Sequence, residues 1–176
     1  KPTTEELDHD FLWRVHKEVP AKGQIAIFNR SHYEDIIAVR VKKIFPDPVW
    51  KRRYKHVLDF ESMLAEEGTV IIKLFLNISK EEQKKRLESR LQDPDKLWKF
   101  CMDDLDDRNR WDEFQTAYQD LIEKTSTPEA PWYIIPADRK WYRNLVVARL
   151  MVEKLRHLQL SLPTPNFLPS SIIIPD

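Results

Sequence analysis

Apolar positions recur along this chain at two spacings, and the alternation between them divides it into elements. Leu7, Phe11, Leu12, Val15 and Val19 fall at helical spacing. They predict a helix from Thr3 or Thr4 to about Val19, capped by one of the threonines, with Glu5 and Glu6 in its first turn. Pro20-Ala21-Lys22-Gly23 breaks it, and Ile25-Ala26-Ile27-Phe28 reads as a short buried strand. Beyond Ser31 a helix carries Glu34, Ile37, Val41 and Ile44 to the stop at Phe45-Pro46-Asp47-Pro48. The next, about Val49 to Glu67, sets Trp50, Tyr54, Val57, Leu58, Glu61 and Leu64 on one side, with Gly68 as its C-terminal stop. Val70 to Leu76 is the strongest strand pattern.

Ser79 and Glu82 have capping-box spacing and open a helix to about Leu91. Gln92 to about Leu105 is polar, contains Asp93-Pro94, and reads as a loop or short helices. A helix then covers about Asp106 to Lys124, Thr125-Ser126-Thr127-Pro128 ends it, and Trp132–Pro136 forms a short strand. Asp138 is placed to cap a last helix to about Leu160, with Trp141, Leu145, Ala148, Val152 and Leu155 inward. A proline-containing tail, 161–176, holds Ile172-Ile173-Ile174, for which the pattern gives no place. Three strands separated by helical stretches make a βαβ pattern, hence parallel strands with helices on both faces.

The totals narrow the class. The 176 residues fit one domain by prior, 41% hydrophobic and 33% charged, and 29 Lys+Arg balance 29 Asp+Glu. A general nucleic-acid binder would carry a basic excess. One cysteine, Cys101, builds neither an intrachain disulfide nor a cysteine-rich metal site. No apolar run approaches a membrane span and no secretory signal opens the chain, so a cytoplasmic location is expected. Glycine occurs only at Gly23 and Gly68, too few for a phosphate-cradling loop. Three strands are also few for this class. Both shortages predict that part of the domain lies upstream of Lys1.

Three groups of residues are placed for chemistry. Asn29-Arg30-Ser31-His32 with Glu34 follow the first strand, where parallel sheets present their sites. Arg30 suits phosphate oxygens and a carboxylate such as Glu34 suits Mg²⁺. A simple Arg30–Glu34 ion pair at a strand end explains the pattern equally well. The second group, Arg86, Arg90, Asp93-Pro94, Lys96, Trp98 and Lys99, has the character of a mobile lid that brings charge to transferring phosphates. Acids balance its cations, so a solvated face is the competing account. The third, Arg40, Lys42, Lys43, Lys51, Arg52, Arg53 and Lys55, includes Asp47 as its single acid and suits guidance of a polyanion or a solvated helix face.

On these motifs the chain resembles the polyphosphate kinase 2 family of P-loop kinases. Phe28-Asn29-Arg30-Ser31-His32-Tyr33-Glu34-Asp35 is similar to the family's Walker B region, in the form of the class III subgroup that phosphorylates nucleoside mono- and diphosphates. Arg90 through Lys99 is similar to its lid. Thr125-Ser126-Thr127, Ala130-Pro131-Trp132 and Ala137 through Asn144 also match, in order, from residue 1 to about 160. The resemblance implies a three-layer, thymidylate-kinase-like α/β fold with a parallel sheet and a helical lid at about 86–106. The catalytic domain is expected over 1–160.

The resemblance further implies Mg²⁺-dependent, reversible transfer of the terminal phosphate of inorganic polyphosphate to AMP or ADP, with guanine nucleotides as further acceptors. Arg30, Arg90, Lys96 and Lys99 are then the catalytic cations. Asn29, Ser31, His32, Glu34, Arg86, Lys43 and Arg52 are the substrate-binding residues, and Glu34 holds the metal. A homo-oligomer is expected, with neither nucleic acid nor membrane as partner. In two places the chain departs from the family pattern. Asn29 stands where many members have Asp, so Glu34 or Asp35 is left to supply the carboxylate. The Walker A loop has no counterpart and is expected upstream of Lys1. The alternatives are a non-catalytic polyphosphate or nucleotide binder and an ATP-dependent nucleotide kinase of the same fold.

Overall fold

The structure, a computed structural model, describes residues 2–168, 170 and 172–175. The first expected helix is two short ones. Thr3 caps α1 (Thr4–Asp8): its Oγ1 accepts from the Glu6 N–H at 3.2 Å, and Glu6 Oε2 accepts from the Thr3 N–H at 2.8 Å. The Asp10 side chain then accepts from the Leu12 N–H at 2.9 Å. That local bond competes with the helical ladder and turns the chain before α2 (Trp13–His16).

α3 (Glu34–Val41) and α4 (Asp47–Glu66) follow near the expected positions, but α3 stops at Val41, before Lys43 at φ 53°, and leaves Ile44 outside it and exposed. α4 ends at Gly68, whose φ of 90° only glycine adopts at no steric cost. The Gly68 N–H bonds the Ala65 carbonyl and the Thr69 N–H bonds the Leu64 carbonyl, each at 2.9 Å, so two orphan carbonyls are satisfied. Past β1 (Lys73–Asn77), Ser79 caps α5 (Lys80–Gln92) by accepting from the Glu82 N–H at 3.1 Å. A 3₁₀ helix (Pro94–Lys99), α6 (Asp103–Asn109) and α7 (Trp111–Thr125) occupy the polar stretch and the helix after it. The single helix expected from Asp106 is broken at Arg110, which donates to the Val41 carbonyl at 2.9 Å.

β1 and β2 (Trp132–Pro136) pair in parallel, with Lys73 opposite Trp132 and Asn77 opposite Pro136. Side chains alternate across this pair. Phe75 packs on Tyr118 of α7, while Leu74 and Leu76 face the last helix, α8 (Lys140–His157). Helices therefore lie on both faces of a parallel sheet. The core is concentrated on one of them: Ile36, Ile37, Val57, Ala117 and Leu121 are almost completely buried between α3, α4 and α7.

Three expectations are corrected here. Ile25–Phe28 has no regular secondary structure and belongs to no sheet among the described residues, and Ile27 is 88% exposed. A strand is held by ladder bonds to a neighbour, and neither β1 nor β2 supplies them. Asp138 does not cap α8; its Oδ1 instead accepts from the Ser79 N–H at 2.8 Å, joining the turns that follow the two strands. Trp141, Leu145 and Val152 of α8 are exposed rather than inward. Two strands about 5 Å apart are too narrow to cover an eighteen-residue helix. In the tail, Ile172, Ile173 and Ile174 are exposed.

Candidate functional site

The chain leaves the Ile25–Phe28 segment and turns at Asn29 and Arg30. Arg30 has φ 69°, a left-handed conformation that a side chain disfavours. This turn separates Arg30 from α3, so Arg30 and Glu34 do not share a helical face. Phe28, Asn29 and Arg30 instead form one wall of a cavity of about 470 Å³. Leu74 and Leu76 of β1 form its floor, and Arg143 and Asn144, in the first turn of α8, close it. It runs along β1 beside the first turns of α8. Arg143 donates from Nε and Nη2 to the Asn144 side-chain oxygen at 3.0 and 2.8 Å. Arg30 makes no ion pair among the described residues.

Glu34 opens α3 on the other side of the turn. Burial pushes its carboxyl above the ordinary value; Arg30 pulls it back, and the nearby Asp107 and Asp35 push it up again. The Tyr118 hydroxyl, buried and close to the Glu34 charge, is pushed up to about 12. Asp107 holds Lys42 at 2.7 Å, which ties α6 to the end of α3. No group of three or more potential metal ligands occurs among the described residues. A half-buried carboxylate raised by burial is nonetheless a group that a cation would stabilise. Mg²⁺ takes one or two protein carboxylates and draws its other oxygens from phosphates and water. Glu34 fits that requirement.

Two residues expected to contact substrate are turned elsewhere. The His32 ring packs inward on Tyr33 and Phe60, with Nε2 3.4 Å from Glu61 Oε1. Arg86 is used within the protein: it donates to Glu82 at 2.7 Å and to the Ala137 and Asp138 carbonyls at 2.6 and 3.2 Å. Ser31 is half-buried in the turn itself, where its carbonyl accepts from the Glu34 N–H at 3.0 Å.

The lid-like segment is exposed. Arg90 pairs with Asp104 at 3.1 Å and Lys96 with Asp93. Lys99 lies 5.0 Å over the ring of Trp98, which is itself 78% exposed. Much of the basic strip is paired: Arg40 with Asp120 at 2.6 Å, Lys51 with Asp47 at 2.8 Å, Lys55 with Asp59. Arg53 donates to the Asp35 carbonyl at 2.5 Å. Lys43 and Arg52 are exposed and make no ion pair among the described residues.

A polar group beneath the turn escaped the sequence reading. Lys73 and Glu61 pair at 2.7 Å in the core, and the Tyr33 hydroxyl donates to Glu61 at 2.7 Å. Burial pushes the Glu61 carboxyl up, but the nearby His32 ring and the hydrogen bonds from Lys73 and Tyr33 outweigh it and hold the group below its ordinary value. Burial pulls the Lys73 ammonium down against the hold of Glu61. The signal was present: Lys73 interrupts an apolar strand and Glu61 lies on the apolar side of α4, and buried charges must be paired. Arg143 and Asn144 carry no such signal, because only the fold brings them to Arg30.

A parallel sheet between helices, with an arginine-bearing turn beside a cavity along it, defines an α/β protein with an anion-suited site. The family model of polyphosphate kinase 2 (PPK2) matches residues 1–162. The chain is 54% identical over 173 residues to an AMP/ADP-polyphosphate phosphotransferase of Meiothermus ruber, covering 98% of this chain and 65% of that protein. It is 38% identical over 174 residues to an ADP-polyphosphate phosphotransferase of Rhodopseudomonas palustris, covering 92% and 60%. The crystal structure of polyphosphate kinase 2 from Arthrobacter aurescens TC1 superposes with a TM-score of 0.93 at 48% identity, over 97% of this chain and 60% of that one. The chain belongs to the PPK2 family, and it spans about 60 to 65% of the length of these three relatives. Among the described residues, no helix is long and apolar enough to cross a membrane.

Proposed function

We propose that the protein transfers the terminal phosphate of inorganic polyphosphate to AMP and ADP, reversibly and with Mg²⁺. The observation that carries this reading is the 54% identity, across nearly the whole chain, to a relative named for that activity. The Arg30 cavity supports it, since an unpaired guanidinium there suits phosphate oxygens. In the proposed reaction an oxygen of the nucleotide's terminal phosphate attacks the end phosphorus of polyphosphate in line. The new P–O bond forms as the bond to the rest of the chain breaks, and the shortened polyphosphate leaves with the electron pair. The attacking oxygen is already anionic, so no strong base is needed, and the neutral Asn29 is compatible with this.

Arg30 binds and orients the phosphate being transferred, and Asn29 lies beside it in the cavity. Arg90, Lys96 and Lys99 bring positive charge from the lid at about 86–106 and exclude water. The unpaired Lys43 and Arg52 guide the polyanion. Glu34 would hold Mg²⁺, which neutralises charge on the phosphates when bound. The catalytic domain is taken as residues 1–160 with the lid at about 86–106. The reading extends to guanine nucleotides as acceptors, a cytoplasmic location and a homo-oligomer. The deciding experiment incubates the full-length protein with ADP, polyphosphate and Mg²⁺ in the absence of ATP. ATP production is expected. Its absence, with transfer from ATP to a nucleoside monophosphate instead, would identify an ATP-dependent kinase. Neither activity, with retained polyphosphate binding, would identify a binder.

A further inference from the structure

Glu61, Lys73, Tyr33 and Thr125 are all buried, yet each carries a polar group. Lys73 Nζ donates to Glu61 Oε2 at 2.7 Å, to the Thr125 carbonyl at 2.6 Å and to Tyr33 Oη at 3.1 Å. Tyr33 Oη donates to Glu61 Oε1 at 2.7 Å, and His32 Nε2 stands 3.4 Å from the same oxygen. A buried ion pair loses solvation that its attraction barely recovers, and apolar residues of the same volume commonly hold a core as well or better. Stability alone is therefore a weak reason for this network.

Its position supplies a better one. His32 and Tyr33 lie two and three residues after Arg30, at the foot of the turn. Arg30 holds a left-handed backbone, is exposed and has no ion pair among the described residues, so nothing at Arg30 itself fixes the turn. The start of α3 has no side-chain cap either: Tyr33 is its N-cap residue and makes no capping bond. The Ser31 carbonyl accepts from the Glu34 N–H within the turn, and Arg14 and Arg53 bond Asp35 one turn on. The buried side-chain links from the foot of the turn to α4 and β1 are the bonds of Tyr33 to Glu61 and Lys73, with His32 stacked on Tyr33 at 4.6 Å. Apolar contacts permit sliding and rotation; directional bonds at 2.7 Å inside a core do not.

We infer that Glu61 is a positioning residue for Arg30, its carboxylate fixing, through Tyr33 and His32, the turn in which Arg30 is presented to the cavity. Lys73 keeps that carboxylate charged and in place. The inference rests on the proposed phosphate-transfer role of Arg30 for its effect on rate, but not for its effect on the turn.

The test uses the full-length protein and two variants. The triple variant Tyr33→Phe/Glu61→Leu/Lys73→Met removes the linked polar groups together, so no buried charge is left without its partner. Glu61→Gln is the milder change. Thermal unfolding, amide hydrogen exchange over residues 29–34 and 36–41, and steady-state kinetics are measured on each. The expected result for the triple variant is a cooperative fold, exchange over 29–34 faster by about tenfold or more, and unchanged protection over 36–41. The accompanying fall in kcat is about tenfold with the nucleotide KM little changed, as for loss of alignment. Wild-type exchange over 29–34 together with wild-type kcat would overturn the inference and leave the network a packing device. If the triple variant does not fold, Glu61→Gln decides by the same readouts: faster exchange over 29–34 supports the inference and wild-type exchange overturns it. If the wild-type protein transfers no phosphate from polyphosphate, the proposed function fails, and the exchange comparison still decides the positioning role.

Discussion

The two faces of the sheet are built differently. Between α3, α4 and α7, side chains are almost fully buried and even the polar groups are paired inside. Across the sheet, α8 has no buried residue, and Trp141, Leu145 and Val152 stand exposed. The cavity lies along this lightly packed face, and its Arg30 is mounted on the densely packed one. A site that must present a charge at a fixed place gains from that arrangement. The group is held from below by a rigid core, and the space around it stays open to large anionic ligands. The 94–99 segment is exposed as well and is in contact with α5, which Arg90 ties to α6 through Asp104.

The largest expected effect is on chemistry. Arg30→Ala in the full-length protein is expected to lower kcat for polyphosphate-dependent phosphorylation by about 10²–10³-fold, the usual loss for one preorganised charge. The melting temperature should barely change, because the side chain is exposed. A large loss of stability would show that the turn belongs to the core rather than standing on it. Next comes the core itself: Leu121→Ala is expected to cost about 3 kcal/mol in denaturant unfolding, while Leu145→Ala on α8 should cost less than about 0.5 kcal/mol. Equal costs would erase the distinction between the faces.

Smaller effects sharpen it. Arg90→Ala should lower kcat by about ten- to a hundredfold and leave unfolding within about 0.5 kcal/mol, since exposed ion pairs contribute little. An unchanged kcat would remove Arg90 from the proposed mechanism. Gly68→Ala, at φ 90°, should cost about 1 kcal/mol in the same unfolding experiment. A neutral result would mean that the end of α4 relaxes freely and that the core around it is less rigid than described.

Much of this fold was legible from local pattern. Trp132–Pro136 occurs with the bounds expected, Gly68 ends α4, Thr3 and Ser79 cap their helices, and α3 begins shortly beyond Ser31. Helix ends and turns depend on bonds between residues three to five apart, so nearby residues decide them. The Arg30 turn was also visible, because an apolar run changes there to polar groups. The strand expected at Ile25–Phe28 does not form among the described residues, because a strand depends on a partner that its own sequence does not contain. Asp138 had cap spacing, but the Ser79 N–H, brought beside it by the pairing of β1 and β2, took its carboxylate.

The chain's order of residues, by itself, determined most of the helices, though not the breaks after Asp8 and at Arg110, along with the two paired strands, the polar turn at Asn29–Ser31 and the family that these motifs mark. Tertiary structure alone decided which charges are free and which are committed. Arg86 and Arg30 are equally basic in sequence, but Arg86 is bonded to carbonyls after β2 while Arg30 stands open in the cavity. His32 follows Arg30 closely, yet its ring turns to Glu61, 29 positions further on. Glu61 and Lys73 acquire their meaning only when α4 and β1 meet beneath the turn. The physical reason is range. Caps and periodicity are set by neighbours along the chain, whereas the state of a charged group is set by whatever the fold places within a few ångströms of it.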